Sequence, residues 1–150
     1  MFSKVYSGGL RGIDGYVVQV EADVSDGLPG FYMVGSLASE VKEAEERVRT
    51  ALRNAGFRLS SKKITVNLSP ANVRKEGTAC DLPVAVAVLA AYGILEPSSL
   101  KETGFLGELG LDGSIKPVRG VLSMVLAMAE SGIKRCFLAE ENVAEGIAAD

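Results

Sequence analysis

The sequence predicts an α/β (α+β) domain in which helices pack on a mixed β-sheet. Segments that alternate apolar and polar residues are interspersed with segments of helical periodicity, and glycines separate most of them. With 150 residues, 47% of them hydrophobic, the chain is long and apolar enough to fill one core. We therefore expect a single domain over residues 1–150.

The predicted strands begin near the amino terminus. Val5-Tyr6 predicts a short first strand, and residues 16–24 alternate with the period of a half-buried strand. Residues 30–35 are aromatic and bounded by glycines, so they predict a strand that forms a hairpin with residues 16–24 across the turn Asp26-Gly27. The side chains expected to point into the core are Val18, Val20, Ala22 and Val24.

Residues 39–56 show the strongest helical periodicity in the chain. Gly56 stands where a left-handed residue ends a helix, and the order of glutamates before arginines complements the helix dipole. The arginines form either a contact row for a partner or a phosphate, or a solvated face; they are Arg47, Arg49 and Arg53. The apolar stripe consists of Val41, Ala44, Val48, Ala51, Leu52 and Ala55.

The middle of the chain predicts a strand, a loop and a buried helix. Residues 63–68 alternate cleanly, and residues 70–78 have no period, which indicates an ordered loop. Residues 82–92 are apolar around the whole helix axis, as in a helix that is buried on nearly all sides. Asp81 is the expected N-cap, because Pro83 then lies in the first turn, where no amide hydrogen is required.

The last third of the chain predicts a hairpin, two helices and a strand. Asp112-Gly113 is the strongest hairpin signal and is flanked by residues 104–109 and 114–117. One helix is closed by Gly132, and a later one has no stop signal before Asp150, which favours a protein that continues beyond it. The helix, strand and helix are expected over residues 118–132, 135–138 and 142–150.

Composition excludes several kinds of activity. The chain has no histidine, and its two cysteines form no CxxC pair, so we expect no metal site and no imidazole base. A net charge of −3 argues against a domain whose main task is to coat a phosphate backbone. No GxxxxGKS or GxxxxGKT motif is present to cradle the phosphates of ATP. Without a leader or an apolar span, we expect a cytoplasmic protein that contacts no membrane.

Six segments carry information beyond the fold. They are LPGFYMVG (28–35), VKEA (41–44), RVR-x-AL (47–52), ITVNLSPA (64–71), KEG (75–77) followed by DLP (81–83), and GEL (107–109) followed by Gly113. In this order, and over essentially the whole chain, they resemble the N-terminal domain of the Mg-chelatase-like AAA+ ATPases of the ComM/YifB family.

The resemblance implies a fold like that of the Lon protease domain. It implies an AAA+ module beyond Asp150 that binds ATP and Mg²⁺, whereas this chain itself holds no cofactor. The implied partners are that module, further copies of the protein in a homo-hexamer, and DNA through the parent protein. For ComM itself, the implied activity is that of a branch-migration helicase in natural transformation.

Lon-type proteolysis uses a serine and a lysine, so the lack of histidine does not exclude it. The Lon pattern PKDGPSAG lies over residues 74–81, which puts Ala79 at the position of the nucleophile. The Lon lysine falls on Leu122, whose side chain we expect to join the apolar stripe of its helix. Both reacting groups are therefore replaced, and we assign no catalytic residue.

Three other interpretations of this segment stay open. Thr78 with Lys75 is an alternative hydroxyl–amine pair, although a hydrated loop would not lower the pKa of Lys75. Cys80 near a helix N-terminus is a candidate nucleophile, or a small packing residue. A vestigial pocket that binds a peptide or the ATPase module is the third; its candidate lining is Lys75, Gly77, Thr78, Asp81 and Ser123.

We therefore expect a non-catalytic domain that serves assembly of an attached DNA motor or loading of its substrate. One alternative is a Lon-like peptidase or other hydrolase that works through Thr78 or Cys80. The other is a direct DNA-binding module; its candidate contacts are Arg47, Arg49, Arg53, Arg58, Lys62 and Lys63.

Overall fold

A computed structural model describes residues 1–148 of the chain. Its strands are β1 Phe2–Arg11, β2 Asp14–Ser25, β3 Gly30–Val34, β4 Lys63–Ser69, β5 Thr103–Leu106, β6 Glu108–Leu109, β7 Ile115–Lys116 and β8 Arg135–Leu138. Its α-helices are α1 Ser39–Lys42, α2 Ala44–Asn54, α3 Asp81–Ala91, α4 Val121–Glu130 and α5 Val143–Ile147. The final helix expected over 142–150 is thus described only as far as residue 148.

Six strands form one mixed sheet in the order β3-β4-β2-β1-β5-β8. The central neighbours β4, β2 and β1 are antiparallel, whereas β3, β5 and β8 join in parallel. The strands β6 and β7 pair separately as the hairpin that Asp112-Gly113 predicts. The expected α/β class with a mixed sheet is confirmed.

Helices cover both faces of the sheet. Val18 and Val20 of β2 pack in the large core cluster that contains α3, whereas Val17 packs in a smaller cluster with Met124 and Met128 of α4. Because neighbouring residues of a strand point to opposite faces, α3 and α4 lie on opposite sides of the sheet. The inward-pointing side chains expected for β2 are correct. Ten of the eleven residues of α3 are buried, and Leu82 is the exception.

Glycines let α4 approach the sheet closely. A Cβ atom at Gly15 would lie 2.1 Å from the Ser123 carbonyl oxygen, and one at Gly8 would lie 2.7 Å from the Met124 Cβ. Any larger residue at these positions would displace the helix. The same glycines obscure the strand pattern, which is why the sequence predicts only Val5-Tyr6 of the ten-residue β1.

Two predicted connections differ from the structure. The expected hairpin between β2 and β3 is wrong: β3 pairs in parallel with β4, because β2 already pairs with β1 and β4 on its two edges. The single helix expected over residues 39–56 is divided at Glu43 into α1 and α2. Its end is correct, since Gly56 has a φ of 98° and the Phe57 amide bonds back to the Leu52 carbonyl.

Candidate functional site

The loop between β4 and α3 is held in place by the segment that follows β3. The Lys75 amide donates to the Ser36 carbonyl at 3.0 Å, and its carbonyl accepts from the Ala38 amide at 2.9 Å. Further along the loop, the Gly77 amide donates to Glu40 Oε2 at 2.9 Å. The loop is therefore ordered and leads directly into the first turn of α3.

We call residues 75–81 together with Arg47 the α3 corner. Lys75 is its buried cation, with 2% of the residue exposed. The Nζ atom donates to the main-chain carbonyls of Gly35, at 2.6 Å, and Pro70. Within residues 1–148 no carboxylate lies within 4.0 Å of it, and burial lowers the pKa of the ammonium. The expected hydrated Lys75 is wrong, because the loop folds its side chain under the main chain.

Thr78 and Cys80 have partners other than this amine. Thr78 Oγ1 donates to Glu108 Oε1 at 2.6 Å, whereas the Lys75 amine donates to main-chain carbonyls, so the two groups do not bond to each other. Cys80 is 8% exposed, and its Sγ donates to Ser7 Oγ at 3.8 Å. Burial raises the pKa of the Cys80 thiol to about 11, which is opposite to the shift that activates a thiol.

Asp81 holds an internal ion pair and does not cap α3. Arg47 Nε and Nη2 donate to the two Asp81 carboxylate oxygens at 2.6 and 3.0 Å, and the Leu109 amide adds a third bond at 3.1 Å. Asp81 is 1% exposed, and burial raises the pKa of its carboxyl although the guanidinium opposes the shift. Cys80 occupies the N-cap position instead. The expected Asp81 cap is wrong because its side chain points toward α2 and β6.

The two positions that the sequence analysis matches to the Lon dyad have different environments. Ala79 is half-buried in the smaller core cluster, and its carbonyl accepts from the Gly107 amide at 3.0 Å. Leu122 is 37% exposed, and its amide donates to Glu145 Oε2 at 3.0 Å. The expectation that Leu122 joins the buried stripe is wrong, because it lies about 100° around the helix from buried Val121.

The residues proposed for a vestigial pocket are only partly brought together. Lys75, Thr78 and Asp81 are close in sequence, but their side chains bond to different groups: Lys75 to carbonyls, Thr78 to Glu108 and Asp81 to Arg47. Ser123 lies on α4, where its carbonyl oxygen faces Gly15 on β2. The pocket stays a prediction, and its part nearest solvent is the exposed Gly77 beside half-buried Thr78.

A cleft of about 780 Å³ lies at the other end of α2. Its charged lining is entirely cationic, and we call it the basic cleft. Arg49 and Arg53 extend into it from one side of α2, whereas Arg47 is in the α3 corner, so the three arginines do not form one row. The lining residues are Pro29, Gly30, Arg49, Leu52, Arg53, Gly56, Phe57, Arg58, Leu59, Ser60, Ser61, Lys62, Ile64 and Tyr92.

Cysteine and acidic side chains do not assemble a metal site in the part of the chain that the structure describes. No three of them lie close enough together to hold an ion there. Cys80 and Cys136 are both free thiols. No helix over residues 1–148 has the length and apolar character needed to cross a membrane.

Comparison with known proteins identifies the family to which the chain belongs. The sequence profile described as subunit ChlI of Mg-chelatase matches residues 20–142, so the chain belongs to this Mg-chelatase-like family. The chain is 43% identical to competence protein ComM of Haemophilus influenzae over 141 residues, which is 94% of this chain and 28% of ComM. It is 41% identical to YifB of Escherichia coli K12 over 140 residues, 93% of this chain and 28% of YifB. The resemblance carried by the six segments is confirmed.

The chain is also similar to Lon protease of Mycolicibacterium smegmatis. The identity is 23% over 139 residues, which is 89% of this chain and 18% of that protease. This similarity agrees with the expected Lon-like fold. The chain spans less than a third of the length of ComM and YifB.

Proposed function

We propose that this chain is a non-catalytic domain of a longer Mg-chelatase-like ATPase, and that it acts in assembly of a hexameric DNA motor or in loading DNA onto it. The AAA+ module beyond Asp150 binds ATP and Mg²⁺ in this proposal, and the protein works in the cytoplasm. The name of ComM, a competence protein that is similar over 94% of this chain, supports a DNA-directed role.

The observation that carries the non-catalytic part is the loss of both Lon reacting groups. Ala79 has a methyl group where the nucleophile would stand, and Leu122 has no amine. Acyl transfer needs a nucleophile with a base within hydrogen-bond reach. Lys75 does not replace the missing base, since its Nζ donates to two carbonyls that lie on the loop and beside it.

Covalent labelling of the chain tests this part of the proposal. We expect no reaction with a fluorophosphonate, because Thr78 has no amine partner, and no native-state alkylation of Cys80 at about pH 8, because that pH is below the ordinary thiol pKa and further below about 11. Alkylation after unfolding in urea shows that the reagent is active. Ala79→Ser is expected to stay unreactive, since its hydroxyl would also have no poised amine.

Peptide hydrolysis gives the outcome that would contradict the proposal. Turnover of a casein-like substrate that disappears in Thr78→Ala or Cys80→Ala would make this domain a peptidase. Thr78→Ser is the matched control for the first of these, since it retains the hydroxyl. If turnover persists in all three variants, neither Thr78 nor Cys80 is responsible for it.

Deletion from the longer protein tests the assembly or loading role. We expect a version that lacks residues 1–150 to keep ATP binding, because this chain has no phosphate cradle. The same deletion is expected to lose hexamer formation or DNA-stimulated ATP hydrolysis, measured by light scattering and phosphate release. A deleted protein that keeps both would contradict the role. Sequencing beyond Asp150 must also reveal a GxxxxGKS or GxxxxGKT motif.

A further inference from the structure

The basic cleft concentrates cations on a chain of net negative charge. Arg49, Arg53, Arg58 and Lys62 line it, and its lining contains no aspartate or glutamate, although the chain as a whole has a net charge of −3. A concave surface with one sign of charge raises the local concentration of ligands of the opposite sign. The cleft is therefore suited to an anion.

Two of the four cations have no carboxylate partner. Arg49 lies 3.6 Å from Glu45, and Lys62 lies 3.1 Å from Asp26. Over residues 1–148, neither Arg53 nor Arg58 has a carboxylate within 4.0 Å. Their guanidinium groups can bind a ligand without first breaking an ion pair, and a guanidinium fork matches the oxygens of a phosphate.

The walls of the cleft are apolar and aromatic. Phe57 and Tyr92 are half-buried and line it, and the Tyr92 hydroxyl donates to the Ser60 carbonyl at 2.7 Å, which holds that wall in place. Ser60 and Ser61 add exposed hydroxyl groups at the rim. Aromatic faces beside cations are the combination that binds the bases and phosphates of an unpaired strand.

We propose that the basic cleft binds a short segment of single-stranded nucleic acid. The four cations contact its phosphates, and a base lies against the Phe57 and Tyr92 wall. The volume of about 780 Å³ is in the range of small-ligand pockets, so the cleft holds at most a few nucleotides. This inference rests on the proposed DNA-directed function and names the surface of this chain that touches the strand.

Titration of a labelled oligothymidylate of about 12 nucleotides, followed by fluorescence anisotropy, tests the cleft. The informative variant is Arg53→Ala/Arg58→Ala, which removes the two unpaired cations. The matched control is Arg11→Ala/Arg119→Ala, which makes the same change in net charge with two exposed arginines outside the cleft. Thermal unfolding checks that both variants keep the fold.

We expect micromolar or weaker binding by the unmodified chain near physiological salt, and tighter binding at low salt. The cleft variant should lose at least about tenfold in affinity at low salt. Its slope of log K against log salt should fall by about 1.4, since each phosphate contact to a single strand contributes about 0.7. The control should change both quantities by much less. Oligouridylate in parallel shows whether the sugar matters.

Three results would overturn the cleft assignment. They are equal losses in the two variants, tighter binding of a duplex than of the single strand, and equally tight binding of a polyglutamate peptide. The last would make the cleft a site for an acidic protein segment. None of these results affects hexamer formation or ATP hydrolysis in the deletion experiment, so failure of the cleft and failure of the proposed function are distinguishable.

Discussion

The α3 corner and the basic cleft both take arginines from α2, but they use the charge in opposite ways. In the corner, Arg47 is bonded to buried Asp81, and Lys75 is bonded to carbonyls under the loop. In the cleft, Arg53 and Arg58 face open space without a carboxylate in reach within residues 1–148. Charge in the corner maintains the structure, and charge in the cleft is available to a ligand.

Helical geometry explains why neighbouring arginines have such different roles. Arg47 and Arg49 are two positions apart, which places them about 200° apart around the helix, whereas Arg49 and Arg53 at i,i+4 share a face. Arg47 therefore points to α3 and β6, and the other two extend to the cleft. The number of arginines on a helix therefore does not define a binding surface until each arginine is assigned to a face of the helix.

Asp81→Ala should have the largest effect on stability and tests the corner side of this comparison. Removing Asp81 leaves the half-buried Arg47 guanidinium with only exposed Glu43, at 3.9 Å, as a carboxylate partner. Loss of one member of a buried ion pair costs up to about 3–5 kcal/mol in the free energy of unfolding. Urea unfolding measures the loss, and Asp23→Ala, which removes an exposed carboxylate from β2, is the control. The double variant Arg47→Met/Asp81→Leu should recover part of the loss. A loss below about 1 kcal/mol would mean that the pair is solvated.

Leu89→Ala should have the next largest effect, because Leu89 is 7% exposed on α3 and its truncation leaves a cavity. The expected loss is about 2–5 kcal/mol. Leu122→Ala removes the same atoms from a side chain that is 37% exposed, so it should cost much less. Equal losses would place Leu122 in the core after all and restore the packing expected from the sequence.

The α3 corner and the sheet differ in how far the sequence predicts them. Alternation in residues 16–24 and 63–68 is local, so β2 and β4 and their inward side chains are predictable. Strand pairing is not local: nothing in residues 30–34 distinguishes a partner in β2 from one in β4. The burial of Lys75 likewise depends on carbonyls of Gly35 and Pro70, one of which is 40 positions away.

The basic cleft was partly predictable. The arginines of residues 39–56 and the cations up to Lys63 are visible in the sequence, and an i,i+4 analysis separates Arg49 and Arg53 from Arg47. The aromatic wall of the cleft was not predictable from the sequence. Tyr92 comes from the end of α3 and reaches the segment after α2 through its hydrogen bond to the Ser60 carbonyl. Only the packing of α2 on α3 brings these groups together.

Lys75 gives a pH-dependent test of the corner. Burial lowers the pKa of its ammonium, so between that lowered value and about 10.4 the unfolded chain binds more protons than the folded one. The free energy of unfolding should therefore increase as the pH rises through this window. The Lys75 charge also acts on the Cys80 thiol, whose pKa burial raises to about 11, so the comparison is made without that thiol. The difference between Cys80→Ala and Cys80→Ala/Lys75→Met, measured by urea unfolding, isolates this gain. A flat difference would mean a hydrated Lys75.

Single charge changes at the cleft should have the smallest effect on stability. They test whether charge there serves binding, in contrast to the structural charge of the α3 corner. Glu45→Ala and Arg53→Ala should each change the free energy of unfolding by less than about 0.5 kcal/mol, because Arg53 is exposed and the partly exposed Glu45–Arg49 pair is screened by solvent. Their effects on oligothymidylate affinity should have opposite signs: Glu45→Ala releases Arg49 and strengthens binding, whereas Arg53→Ala weakens it. Anisotropy titrations beside urea unfolding separate the two quantities. If either variant lowers stability as Asp81→Ala does, charge in the cleft is structural and the two regions do not differ in the way proposed.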